Sequence, residues 1–271
     1  MSTRREVWKI GGSVLKDSTD YENFAARINE RAVDPTLDRL YVVVSAAKGI
    51  SDSLIDDLPV TAEELKRIRA QLNGKEAGDL QPLSIGESDI AALLLWGEID
   101  SCHRLRNALL KRGGRAKTVT QLDYYPIIAI GSRLCADVDL AASEERFGQF
   151  ETICEHRKIV IISGFGAVDR NGDPVLLGRN STDYIAAELT RLDRHVQRAL
   201  FIKESGGLYA EYGSPNRRLI DDIHISGIPE HNNSGLLDRR CIDVIDCDFQ
   251  IVGRDLEVGT LVRCRPRRAA S

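Results

Sequence analysis

The chain has 271 residues, enough for one large domain or two small ones with a sizeable core. It is 42% hydrophobic and 29% charged, with a formal net charge of −4, which gives no general reason to expect nucleic-acid or membrane partners. No apolar run approaches the ~20 residues of a membrane span, and "MSTRREVWKIGG" lacks the apolar core of a secretory signal, so a cytoplasmic protein is expected. The basic end "RCRPRRAAS" reads as a loose tail. The six cysteines form no CxxC pair. Cys241 and Cys247 lie close to Asp243, Asp246 and Asp248, a spacing open to zinc, but buried or free cytosolic thiols are the better explanation, and no side chain is assigned to a metal.

The apolar runs alternate with helical periods. "VWKI" (7–10) is a short strand ending at Gly-Gly, followed by a helix over about 20–32. "LYVVVSA" (40–46) is nearly all apolar, as in a strand covered on both faces. "DSLIDDL" and "TAEELKRIRAQLN" are helical by period and propensity. "ESDIAALLLWGEIDSCHRLRNALLKRGG" is a long helical stretch with a possible break at Gly97, stopped by Gly113 and Gly114. "AKTVTQL" (116–122) is strand-like, and "ASEERFGQFETICEHR" is mostly helical. "KIVIISGF" (158–165) is a buried strand, and "AVDRNGDPVLL" is a hairpin turning at Asn171–Gly172. "STDYIAAELTRL" is a helix, "RALFIK" (198–203) a strand and "CDFQIVG" (247–253) the last strand. This alternation predicts an α/β fold: a three-layer sandwich whose central sheet is mostly parallel, with helices on both faces. Residues 1–271 are read as a single domain, with one lobe over about 1–165 and another over about 166–271.

Ligands of such folds sit beyond the carboxyl ends of the strands. Four strands here deliver small-residue turns to that edge: "GGS" (11–13), "SAAKG" (45–49), "SGFG" (163–166) and "ESGG" (204–207). Gly11, Gly12 and Ser13 can present amides to an anion. Lys9, two residues earlier, is either an edge-strand lysine or a cation facing phosphate oxygens. Neither a Walker loop nor GxGxxG follows the first strand. Ser45, Lys48 and Ser51 can face anionic oxygens, although capping of the next helix would explain Ser51. Glu87 opens an apolar helix, where it either complements the helix dipole or holds a substrate ammonium. In "LGRNSTDY", Ser181 or Thr182 can cap a helix that has Asp183 in its first turn, and Arg179 offers a planar fork suited to a carboxylate. Together these residues describe a kinase of an amino acid.

"KIGGS" (9–13), "VVVSAAKGIS" (42–51), "LSIGE" (83–87), "SGFGAVDRNGDPVLLGRNSTDY" (163–184) and "SGGLY" (205–209) resemble, in order and spacing, the amino acid kinase family, above all the catalytic domain of aspartate kinases. The resemblance implies the amino acid kinase fold, with an acceptor lobe before about residue 165 and a nucleotide lobe after it. It implies an ATP- and Mg²⁺-dependent transfer of phosphate to the side-chain carboxylate of aspartate or a similar acidic amino acid, giving an acyl phosphate. Lys9 and Asp183 would be catalytic. Ser45, Ser51, Glu87, Phe165, Arg179 and Thr182 would bind the acceptor. Gly11, Gly12, Ser13, Lys203, Glu204, Tyr209 and Arg217 would face the nucleotide. A small acidic substrate and a homodimer or higher homo-oligomer are implied as partners, with no nucleic acid or membrane.

The chain also departs from that pattern. It stops near where a kinase domain ends, so feedback inhibition through appended regulatory domains is not expected. The segment between "SAAKGIS" and "LSIGE" is short. "KESGGLY" replaces T-D-V-x-G-x-Y, which puts Lys203–Glu204 in place of Thr-Asp. The family's late lysine motif has no equivalent, its counterpart "NSGLLDRR" placing Gly235 there. Two alternatives therefore stand beside the leading reading: a family member acting on another small acceptor (acylated glutamate, phosphate or phosphonate), and a degenerate member that only binds a ligand.

Overall fold

The computed structural model describes residues 4–75, 82–207, 209–210, 218–224, 245, 247, 249–256 and 259–263. In chain order the elements are β1 (Arg4–Ile10), α1 (Ser18–Ala32), β2 (Leu37–Val44), α2 (Ile50–Asp56), α3 (Ala62–Leu72), α4 (Glu87–Lys111), β3 (Ala116–Val119), β4 (Ala129–Ser132), β5 (Cys135–Val138), α5 (Leu140–Ile153), β6 (Ile159–Ser163), β7 (Gly166–Val168), β8 (Pro174–Leu176), α6 (Ser181–Leu192), β9 (Val196–Ile202), β10 (Tyr209–Ala210), β11 (Arg218–Leu219), β12 (Asp222–His224), β13 (Phe249–Val252) and β14 (Gly259–Arg263).

Among the described residues, eight strands make the central sheet, in the order β12-β14-β13-β9-β1-β2-β6-β3. Every neighbouring pair is parallel except β13 and β14. The apolar runs of β2 and β6 are explained by burial on both faces. Val7, Tyr41, Val43, Val160, Ile162 and Phe201 face one layer, with Phe147 and Phe150 of α5 and Ile185 and Leu189 of α6. Trp8, Ile10, Val42, Val44, Ile161 and Leu200 face the other, with Phe24 and Ile28 of α1 and Leu105 and Leu109 of α4. A third apolar cluster joins α2, α3 and the first half of α4 to Phe165 and Leu176. It lies beyond the carboxyl edge of the sheet and forms one wall of the site described below.

Three expectations are corrected. The helix over 87–111 runs unbroken through Gly97. Glycine at that position serves contact: a Cβ there would stand 2.8 Å from the Ala46 Cβ and 3.1 Å from Ile50. Lys9 is not on an edge strand, because β1 is flanked by β2 and β9. The strand over 249–252 is not the last, since β14 returns antiparallel beside it. The antiparallel pair β4–β5 was also not anticipated.

The amino end of the sheet carries buried ion pairs. Arg31 grips Glu6 through two 2.9 Å hydrogen bonds, and Asp193 accepts from Arg5 at 2.8 Å and from the Tyr41 hydroxyl at 2.7 Å. These groups sit at the end of the strands away from the glycine turns. Among the described residues, Cys102 and Cys154 are buried free thiols, no cluster of His, Cys, Asp or Glu is arranged for a metal, and no helix is long and apolar enough to cross a membrane. Cys241 and Cys264 lie outside the described residues.

Candidate active site

β1 brings Lys9 to the carboxyl edge on the face that α6 covers. Asp183 enters from the first turn of α6, and its Oδ1 stands 2.7 Å from Lys9 Nζ. Lys203, the residue after β9, donates to the other oxygen of the same carboxylate at 2.5 Å. The Asp183 side chain is only 3% exposed, and those of Lys9 and Lys203 are 8% and 13% exposed. Burial alone would raise the Asp183 pKa, but the two ammonium groups outweigh it and hold the carboxyl below its ordinary value. Asp183 is thus the shared counter-ion of two buried lysines. A solvated first-turn acid complementing the helix dipole would have neither the burial nor the partners.

Gly11 donates its amide to Ile202 O at 3.0 Å, so that amide belongs to the sheet edge. Gly12 and Ser13 begin a single 3₁₀ turn (Gly12–Val14), so their amides have no acceptor within it and can serve an anion. Gly12 passes so close to the next turn that a Cβ would meet Ala46 O at 2.4 Å. Ser45 leaves the end of β2, its amide bonded to Ile10 O at 3.1 Å. Ser51 does not cap α2; Gly49 holds the N-cap in the left-handed region at φ 84°.

On the opposite wall, Phe165 adopts φ 68°, a left-handed conformation rare for an aromatic residue. Two contacts hold it: Ser181 Oγ donates to its carbonyl at 2.8 Å, and Leu177 donates its amide to the same carbonyl at 3.1 Å. Ser181 therefore does not cap α6 as expected. The helix starts at that residue, Asn180 occupies the N-cap at φ 63° without a side-chain cap bond, and Thr182 packs its methyl and hydroxyl against Gly164. Gln121, which the sequence did not single out, donates to the carbonyls of Gly164 and Gly166 at 3.2 and 2.7 Å and accepts from Ser163 Oγ at 2.6 Å. It fixes the "SGFG" turn from behind.

These turns enclose a cavity of about 340 Å³. Its lining brings together Lys9, Gly11, Gly12, Ser13, Ser45, Ser51, Phe165, Arg179, Thr182, Asp183 and Lys203. Arg179 reaches across to Asp52, an exposed partner at 2.8 Å that also lines the cavity. Glu204 is on the rim rather than in the lining, where it joins Lys16 (3.0 Å) to Lys48 (3.7 Å); its hydrogen bond from Lys16 holds its pKa low. Glu87 is also absent from the lining. Its Oε1 accepts from Gln71 of α3 at 3.1 Å, on the outer side of the third apolar cluster. Of Tyr209 the structure gives the backbone, which opens β10, and Arg217 and Gly235 lie outside the described residues.

An unanticipated acid does line the cavity: Glu98, 3% exposed, whose Oε1 accepts from the Ala46 amide at 3.2 Å. Burial, opposed by hydrogen bonds from backbone amides, pushes its carboxyl up to about 8. Among the described lining residues, Lys9, Lys48, Arg179 and Lys203 face Asp52 and Asp183, with the Glu98 carboxyl shifted towards its neutral form. The excess favours an anionic ligand.

A family model described as "Amino acid kinase family" matches residues 4–246. The chain belongs to the amino acid kinase family. Its architecture is also that of solved members. E. coli aspartokinase III in complex with aspartate and ADP superposes with a TM-score of 0.75 at 20% identity, covering 97% of this chain and 65% of that one. Aspartate kinase from Synechocystis superposes with a TM-score of 0.68 at 20% identity, covering 98% of this chain and 41% of that one. T. acidophilum isopentenyl phosphate kinase, in a product complex, gives 0.54 at 15% identity over 96% of this chain and all of that one. At these identities the likeness concerns the fold. This amino acid kinase family chain spans less than two thirds of the length of the aspartate kinases it superposes on.

Proposed function

We propose that this family member is an ATP-dependent kinase that phosphorylates the side-chain carboxylate of aspartate or a similar acidic amino acid. The observation that carries the reading is the Lys9–Asp183–Lys203 triad in one wall of a cavity that also holds Arg179. A carboxylate nucleophile, with an ordinary pKa of about 3.9, is already ionised at neutral pH and needs no general base. Catalysis then reduces to alignment and charge neutralisation. The acceptor oxygen attacks the γ-phosphorus, the bond from that phosphorus to the β–γ bridging oxygen breaks, and ADP leaves with the electron pair. Lys9 and Lys203 are suited to neutralise charge on the transferring oxygens, while the amides of Gly12 and Ser13 suit the remaining phosphates. Asp183 keeps the two ammonium groups in place and so positions the charge in advance. Arg179, whose present partner is exposed, can exchange Asp52 for an acceptor carboxylate through a two-bond fork.

Mg²⁺ is expected with ATP, but both Asp183 oxygens face lysines and no metal cluster occurs among the described residues. The described side chains do not form a seat for the ion, so no step is routed through it. Recombinant protein tested for ADP release should respond to aspartate above glutamate, N-acetylglutamate, uridylate and simple phosphonates. ADP release stimulated by a phosphate or phosphonate acceptor, with none from any acidic amino acid, would replace this reading with the second acceptor class.

A further inference from the structure

The Glu87 carboxylate stands back from the cavity lining, yet α3 ties it to the acceptor end of the site. Two adjacent residues in the last turn of that helix make the link. Gln71 Nε2 donates to Glu87 Oε1 at 3.1 Å, and the Leu72 carbonyl accepts the Arg179 amide at 2.8 Å. Gly178 lets the Arg179 turn come so close: it holds φ 80°, and a Cβ there would stand 3.0 Å from the same Leu72 oxygen. The other end of α3 is fastened to the residues that lead into α4. Glu64, in a capping box with Thr61, accepts from the Ser84 amide at 2.5 Å and from the Ser84 hydroxyl at 3.0 Å. α3 is therefore a strut braced at both ends against the segment that carries Glu87. One atom of the strut is unaccounted for: Gln71 Oε1 is buried and, among the described residues, has no hydrogen-bond partner. A buried acceptor without a donor costs free energy that a ligand N–H would recover. This oxygen belongs to the same amide that holds Glu87, so the two side chains can receive one donor group together.

We propose that Gln71 is a positioning residue for recognition of the acceptor amine: it fixes the Glu87 carboxylate through Oε1 and adds its own carbonyl oxygen as a second acceptor for the ammonium. This rests on the amino acid kinase reading above and deepens its acceptor side. An ammonium offers three N–H donors, enough for the other Glu87 oxygen and the Gln71 carbonyl at once. Arg179, held by the neighbouring residue of α3, would take a carboxylate of the same molecule. The Arg179 contact runs through the Leu72 main chain, so a change in the Gln71 side chain alters amine recognition and leaves carboxylate recognition in place.

The test is calorimetry of the intact protein with L-aspartate and with succinate, which lacks only the amine, for wild type, Gln71→Leu, Glu87→Gln and the double variant. Wild type should prefer aspartate by about tenfold to a hundredfold. Gln71→Leu should lose about tenfold in aspartate affinity and nothing in succinate affinity. In the Glu87→Gln background, where the preference is already lost, Gln71→Leu should change aspartate affinity by less than about threefold, because the two residues serve one group. A bond that only fastened α3 to α4 would give neither the selectivity between acids nor this coupling. The inference is overturned, with the kinase reading intact, if wild type binds the two acids equally, if Gln71→Leu weakens both acids alike or neither, or if Glu87→Gln leaves the Gln71→Leu effect undiminished. Gln71→Met, of similar length and without either hydrogen-bonding group, takes the place of Gln71→Leu if that variant does not fold. Failure of wild type to bind either acid would overturn the inference and the kinase reading together.

Discussion

Replacing Asp183 by Asn removes one negative charge from between two buried lysines while leaving the shape of the side chain nearly unchanged. Lys9 and Lys203 are 8% and 13% exposed, so neither ammonium group can recover full hydration where it stands. Breaking a buried pair by removing one partner costs about 3–5 kcal/mol, because a charge is left uncompensated. We therefore expect Asp183→Asn to lose that much stability at pH 7, read from urea denaturation midpoints followed by circular dichroism. The pH dependence has a definite sign. The folded carboxyl is held below its unfolded value of about 3.9, so its contribution is complete above that value and is lost as pH falls through the folded one. The gap between wild type and Asp183→Asn should accordingly close in acid. The double variant Lys9→Met/Asp183→Asn should cost less than the sum of its parts by more than about 1 kcal/mol, since the second change removes a charge the first stranded. A loss below about 1 kcal/mol for Asp183→Asn at pH 7, or a gap that does not shrink as pH falls below about 3.9, would refute the shared counter-ion argument.

Other outcomes follow from the same geometry. Gly12→Ala would put a Cβ 2.4 Å from Ala46 O, a backbone atom, so ATP affinity measured by calorimetry should fall while urea denaturation shows the fold retained. Gly97→Ala should destabilise by about 1–3 kcal/mol in urea melts, despite alanine's higher helix propensity, because Ala46 and Ile50 block the new methyl. Glu98 has the opposite pH sign to Asp183: its folded pKa is raised to about 8, so the folded state binds the extra proton and stability falls as pH climbs from the unfolded value towards 8. Melting profiles of Glu98→Gln should therefore gain on wild type across that window, by on the order of 1.4 kcal/mol per pH unit. Lys203→Met should slow aspartate-dependent ADP release by about a hundredfold with a smaller effect on aspartate KM, if Lys203 acts on the transferring phosphoryl group.

The strands of the sheet centre could be read from the sequence because burial on two faces leaves uninterrupted apolar runs, as in β2 and β6. The pair β4–β5 could not, since Ile130, Gly131 and Ser132 are exposed and no alternation marks the strand. The Lys9–Asp183 pairing was foreseeable from motif order. Its third member was visible only as a departure, Lys203 standing where the family pattern has threonine, and its proximity to Asp183 follows from β1 and β9 being neighbours. Glu98 was illegible for a different reason. An acid in "WGEIDS" looks like any helical surface charge. Its burial depends on Gly97 and on contact with Ala46, 52 residues away in sequence. Conversely, Glu87 carried a motif but the third apolar cluster holds α3 beside it, and Gln71 takes its carboxylate. The left-handed Phe165 left no local signal either, because its conformation is held by Ser181 and Leu177.

Oxygen-18 transfer tests the central claim most directly. Aspartate labelled in its side-chain carboxylate is incubated with protein and ATP, hydroxylamine captures the acyl group, and the released phosphate is weighed by mass spectrometry. If the carboxylate oxygen is the nucleophile, the hydroxamate of aspartate accumulates and each phosphate freed with it carries one oxygen-18. Release of ADP accompanied only by unlabelled phosphate would contradict the account, because the γ-phosphoryl group would then have gone to water and not to the acid in the cavity.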